Sequence, residues 1–118
     1  VTGCNAGNNQ KGGIFCWSGK VIGNTASNNN QLNDAGSGGI VIWGESQVKD
    51  NMALGNKINA FFIHSAGSTV ENNNMRGSTN GLKFDGTGNY YSGNRASGNS
   101  YNWVSTSGNT DGGGNVSF

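Results

Sequence analysis

Few side chains in this sequence are equipped for chemistry. His64 is the sole histidine, and the carboxylates are Asp34, Glu45, Asp50, Glu71, Asp85 and Asp111. Of these, His64, Asp85 and Glu45, together with Lys83, fall at related positions of a repeat set out below. A histidine beside a carboxylate can carry a proton to and from a substrate. That makes His64 and Asp85 the candidates for general acid–base chemistry of a lyase or hydrolase kind. The plainer reading of the same two residues is a surface ion pair with no catalytic role.

The second chemical resource is aromatic. Phe15, Trp17, Trp43 and Phe62 offer flat apolar rings, which suit both the stacking of sugar rings and packing against another copy of the chain. With one histidine and no C-x-x-C spacing, neither a metal site nor a cofactor is expected.

What must position these residues is a repeat. Five segments align without gaps: Val1–Ala6, Val21–Ala26, Val48–Ala53, Val70–Met75 and Tyr91–Ala96. Their fourth position holds Cys4, Asn24, Asn51, Asn73 and Asn94, and their sixth holds Ala6, Ala26, Ala53, Met75 and Ala96. The ninth holds Asn9, Asn29, Asn56, Ser78 and Asn99. After a Gly- and Asn-rich stretch comes a short apolar strand, beginning at Ile14, Ile40, Phe61, Leu82 and Trp103 in turn. Successive repeats start 20, 27, 22 and 21 residues apart.

A coil of short strands laid on its neighbour roughly 4.8 Å away as parallel sheets gives this pattern. The fold class is all-β: a parallel β-helix of about five coils over residues 1–118, with residues 107–118 as a partial last coil or a cap. Alternation stacks Val1, Val21, Val48, Val70 and Tyr91 inward, and Ile14, Ile40, Phe61, Leu82 and Trp103 likewise, with Cys16, Ile42, Ile63 and Phe84 beside them. Asn24, Asn51, Asn73 and Asn94 form an inward ladder at a sharp turn, where each amide bonds its neighbours in adjacent coils. Asn59 reads as a turn residue, and the insertion Asn30–Gly38 as a protruding loop. Outward, the alternation places Phe15, Val41, Phe62, Lys83 and Val104 in one exposed column. Trp17, Trp43, His64, Asp85 and Thr106 form the next, so His64 and Asp85 come within roughly 5–7 Å across adjacent coils. An outer face this apolar marks an interface or a ligand groove, unless a long turn folds over it.

The inward asparagine ladder and the varying coil length resemble the pectate-lyase-like right-handed parallel β-helix superfamily, across nearly the whole chain. The resemblance implies a right-handed coil and polysaccharide binding along the sheet that carries Trp17 and Trp43. It does not choose a function, since the superfamily holds lyases, hydrolases, epimerases, tailspikes and adhesins. Its lyases use clustered aspartates around Ca²⁺ with a basic partner, and its hydrolases use several clustered aspartates. The carboxylates here are scattered, and Arg76 and Arg95 follow the other face of the coil.

Composition limits the partners. A net charge of +1 without a Lys/Arg cluster gives no electrostatic basis for nucleic-acid binding. The longest apolar run, Ile58 to Ile63, is strand length, so no membrane-inserting helix is expected. Cys4 and Cys16 are both assigned to inward positions of the first coil, as a disulfide or as two buried thiols. A bond would fit an oxidising, extracellular setting. The expectation is therefore a secreted, non-catalytic structural or adhesive solenoid at the outside of a cell or virion. It self-associates as a fibre, filament or trimer through the face of Phe15, Trp17, Val41, Trp43, Phe62, His64, Lys83 and Asp85 and through its open ends. The alternative is a carbohydrate-binding or polysaccharide-processing fragment that uses the same face.

Overall fold

The structure, a computed structural model, describes residues 1–118. Short strands follow one another without a helix: β1 (Asn5–Gly7), β2 (Ile14–Cys16), β3 (Gly19–Ile22), β4 (Thr25–Ser27), β5 (Gly38–Ile42) and β6 (Ser46–Lys49). They continue as β7 (Met52–Leu54), β8 (Asn59–Ile63), β9 (Thr69–Glu71), β10 (Asn74–Arg76), β11 (Asn80–Phe84) and β12 (Tyr90–Ser92). The last four are β13 (Arg95–Ser97), β14 (Tyr101–Val104), β15 (Thr110–Asp111) and β16 (Val116–Ser117). Every third strand pairs, always in parallel, so the chain winds as a β-solenoid with three sheets. The first sheet runs β1-β4-β7-β10-β13-β16, the second β2-β5-β8-β11-β14, and the third β3-β6-β9-β12-β15. Residues 107–118 thus begin a further coil, since β15 lies on β12 and β16 on β13.

The registers match the inward columns read from the alternation. Val21, Val48, Val70 and Tyr91 lie over one another. So do Ile14, Ile40, Phe61, Leu82 and Trp103. Together with the Ala26–Ala53–Met75–Ala96 column they make one continuous core. The wide side chains fill the sheet centres, and the alanines fit where the coil narrows.

At each of three corners a polar column closes the turn. Between the third and first sheets, the backbone N–H and Nδ2 of Asn24 both donate to Oδ1 of Asn51 at 2.9 Å. The pattern repeats from Asn51 to Asn73, Asn73 to Asn94, and Asn94 to Asn115. Each Nδ2 also donates to a strand carbonyl of the preceding coil, as Asn51 does to Val21 at 2.8 Å. Between the first and second sheets, Asn9, Asn29 and Asn56 form a second ladder of the same kind. Ser78 interrupts it, and Asn99 resumes it by accepting from the Ser78 N–H. A third column, between the second and third sheets, runs Ser46, Ser68, Asn89 and Asn109.

A local cause underlies the ladders. The residue before nearly every ladder position has a positive φ: Gly23, Asp50, Asn72, Gly93 and Gly114 at the first corner, and Asn8, Asn28, Gly55, Gly77 and Gly98 at the second. This left-handed step turns the chain and aims the next side chain inward, and Gly and Asn are the residues that adopt it readily.

Two placements differ from the alternation reading. Asn59 is not in a turn. It opens β8, is fully buried, and its Nδ2 donates to the carbonyls of Ala35 and Ser37. The insertion at 30–38 is therefore tied down from below. Asn30 is also buried, clasping Asp34 through both its amide atoms, and only residues 31–36 are exposed.

Candidate functional site

The outer side of the second sheet was the expected site, and the fold builds it by stacking strand ends. The Trp43, His64 and Asp85 N–H groups donate to the carbonyls of Cys16, Ile42 and Ile63 at 2.9, 2.8 and 2.9 Å, which sets the four residues Trp17, Trp43, His64 and Asp85 one above another. The rings of Trp43 and His64 are parallel within 2° with centroids 4.0 Å apart, and Trp17 stacks on Trp43 at 6.3 Å. Phe62 leans on His64 at 3.9 Å. His64 Nδ1 is 3.2 Å from Asp85 Oδ2, and Lys83 Nζ lies 3.9 Å from Asp85 Oδ1 and 4.3 Å above the Phe62 ring.

These distances bring His64 and Asp85 together, and they also limit what the pair can do. Nδ1 faces the Asp85 carboxylate at ion-pair distance, so Nε2 is the ring nitrogen left to meet a substrate. Nε2 is buried without a hydrogen-bond partner. General base catalysis needs that nitrogen within reach of a substrate proton, and the Trp43 and Phe62 rings pack against the imidazole instead. Glu45 does not join the pair. It lies along the turn after Trp43, with its side chain near Gly67. No three His, Cys, Asp or Glu side chains converge as a metal-ligand group.

The exposed face is smaller than alternation suggests. Phe15, Trp17 and Trp43 are exposed at 49%, 77% and 43%, but Val41 and Phe62 are buried at 0% and 2%. Register places Val41 between Phe15 and Phe62 in one column, so larger rings flank it on both sides. Phe62 is roofed by Lys83 and the His64 ring. Lys83 and Val104 are half-buried. What remains open is an aromatic edge confined to the first two coils.

The corner beside this edge carries a feature that the sequence reading missed. A concavity of about 530 Å³ is lined by Ser18, Lys20, Glu45, Gln47 and Thr69, with Gly19 and Gly67 also on its wall. It follows directly on Trp17 and Trp43 in the chain. Next to it the backbones approach closely: a Cβ on Gly44 would stand 2.1 Å from the Trp17 carbonyl oxygen.

The two cysteines do not pair. Cys4 keeps the ladder position, its N–H donating to Asn24 Oδ1 after the positive-φ Gly3, but it is exposed in the first coil, whereas Cys16 is buried; both are free thiols. Each sulfur is turned to a nearby backbone carbonyl, Thr2 for Cys4 and Ser18 for Cys16.

The exposed large apolar side chains are Val1, Phe15 and Trp17 in the first coil, Leu32 and Trp43 in the second, Met52 in the third, and Tyr90, Tyr101, Val116 and Phe118 from the fourth coil on. No protein-family model, curated protein or solved structure matches this chain.

Proposed function

We propose that this chain is a structural or adhesive β-solenoid of an extracellular, cell-surface or virion-surface assembly, non-catalytic, which associates with further copies of itself. The observation that carries this reading is the exposed aromatic edge of Phe15, Trp17 and Trp43 on the outer side of the second sheet. The buried Nε2 of His64 weighs in the same direction, since the acid–base pair is turned to packing. The likeness to pectate-lyase-like β-helices, with their right-handed coil, belongs to this proposal. Light scattering and negative-stain electron microscopy of the purified chain test it. Oligomers or fibres that Trp17→Ala weakens, with the far-ultraviolet circular dichroism unchanged, support it; a monomer at every concentration refutes it.

One observation favours a second reading, binding of a polysaccharide. The concavity beside Trp17 and Trp43 presents hydroxyl, amide, ammonium and carboxylate groups next to aromatic rings, a combination suited to a polyhydroxylated ring. Binding of plant or bacterial oligosaccharides on a glycan array, lost in Glu45→Gln, supports this reading.

A further inference from the structure

The aromatic edge sits on a corner with a charge of its own. The residues that turn the chain from the second sheet into the third are 17–18, 43–45, 64–68, 85–89 and 105–109. They include Trp17, Trp43, Glu45, His64 and Asp85, and no lysine or arginine. Asp85 is engaged by His64 and Lys83. Glu45 is exposed, and Lys20 shares its concavity without pairing to it.

Across the coil from this corner stands the outer side of the first sheet, and its charge is opposite. Its strands hold Arg76 and Arg95 and no carboxylate. Both arginines are exposed, and neither is in an ion pair. Apolar surface accompanies the charge, with Met52 exposed and Leu54 half-buried beside it. In register, Met52, Asn74 and Arg95 form one outward column on β7, β10 and β13, and Leu54 and Arg76 lie in the next.

Trp43, His64 and Asp85 follow one another on three successive coils in the same way. Each series runs from apolar through polar to charged, and the charges are opposite. A repeat of roughly 4.8 Å per strand gives the two series the same length.

Resting on the self-association proposed above, we infer that the aromatic corner of one copy docks on the outer side of the first sheet of the next, with both coil axes running the same way. Trp43 then meets Met52, whose thioether packs well on an aromatic ring. His64 meets Asn74, and Asp85 meets Arg95. Trp17, whose ring stacks on Trp43 by one face and has no aromatic neighbour on the other, falls one strand earlier, at Thr25. A corner-on-corner contact would set carboxylates against carboxylates, and a sheet-on-sheet contact arginines against arginines. Corner on sheet is the pairing that joins opposite charges. The two surfaces face opposite sides of the coil, so the contact is heterologous, and repeating it grows an open lateral filament.

Two exposed positions test this, Trp17→Glu on the corner and Met52→Glu on the sheet, with folding checked by circular dichroism. In sedimentation velocity the unaltered chain grows in size with concentration. Each variant alone stays monomeric, and an equal mixture of the two gives a dimer and nothing longer, because each supplies the intact surface that the other lacks. Loss of assembly in only one of the variants overturns the pairing of corner with sheet and leaves self-association standing. A mixture that stays monomeric overturns the pairing too, as does assembly that neither variant alters. A wild-type chain that is monomeric at every concentration removes both readings.

Discussion

The interruption of the second ladder at Ser78 makes a sharp prediction. On the second sheet, Gly13, Gly39, Ala60 and Gly81 stand in one register column. A Cβ on Gly13 would meet Asn29 Nδ2 at 2.5 Å, and one on Gly39 would meet Asn56 Nδ2 at 2.5 Å. On Gly81 it would meet Asn99 Nδ2 at 3.1 Å. Where the ladder holds asparagine, then, the strand holds glycine. Ala60 is the exception, and the ladder residue of the next coil is Ser78, whose Oγ is buried without a partner. The alanine methyl takes the room that an asparagine amide needs.

Ser78→Asn alone should destabilise by about 1–3 kcal/mol through overpacking, despite its new hydrogen-bonding capacity. Ala60→Gly alone should cost about 1–2 kcal/mol, from backbone entropy and the lost methyl. In the double variant the new amide oxygen accepts from Asn56, and its Nδ2 reaches the Ala53 carbonyl, as Asn56 Nδ2 reaches Ala26. Each such bond is worth about 1 kcal/mol net, so the pair should couple favourably by about 2 kcal/mol, within the range for contacting residues. Urea unfolding of the four proteins measures this. Additivity within about 0.3 kcal/mol would refute the argument, because it would mean that the methyl and the amide do not compete for one space.

Four further outcomes follow from the structure. Asn51→Ala should lower stability by about 3 kcal/mol, as it strands two donors on Asn24 and the Val21 carbonyl. Asn59→Ala, which frees the 30–38 insertion from its anchor, should cost about half of that; equal urea midpoints would contradict this ranking. Gly44→Ala should force the Trp17 and Trp43 turns apart at a cost of about 1–3 kcal/mol, seen as a lower melting temperature and altered tryptophan fluorescence. Burial, and after it the Asp111 carboxylate, raise the Tyr91 hydroxyl above the ordinary 10.0. Above pH 10 the unfolded chain has lost this proton while the folded one keeps it, so stability falls as pH rises further. Tyr91→Phe should flatten the alkaline limb of the melting-temperature profile.

How much of this was legible depended on whether a signal is local. The inward columns follow from period-two alternation, and the ladder at Asn24, Asn51, Asn73 and Asn94 from a fixed spacing after the valines. The third column was not legible, because Ser46, Ser68, Asn89 and Asn109 mix residue types on turns of uneven length. A signal was present nonetheless: Gly67, Gly88 and Gly108 precede Ser68, Asn89 and Asn109 with positive φ, as glycine or asparagine does at the other corners. Asn115 was missed for the same reason, since the valine of its repeat is replaced by Asp111 over Tyr91. Alternation gave the direction of Val41 and Phe62 correctly and their exposure wrongly. Direction is a property of one strand, whereas burial depends on the Lys83 stem and the neighbouring rings. The His64–Asp85 contact was foreseeable from register, but the shielding of Nε2 by packed rings was not.

Self-association is the claim on which the functional account turns, and sedimentation velocity of the unaltered chain over a wide range of concentrations tests it most directly. The account predicts a weight-average mass that rises with concentration above that of the monomer, to a discrete oligomer or to fibres. A sharp boundary at the monomer mass throughout would contradict it, and the aromatic edge would then be open for a ligand.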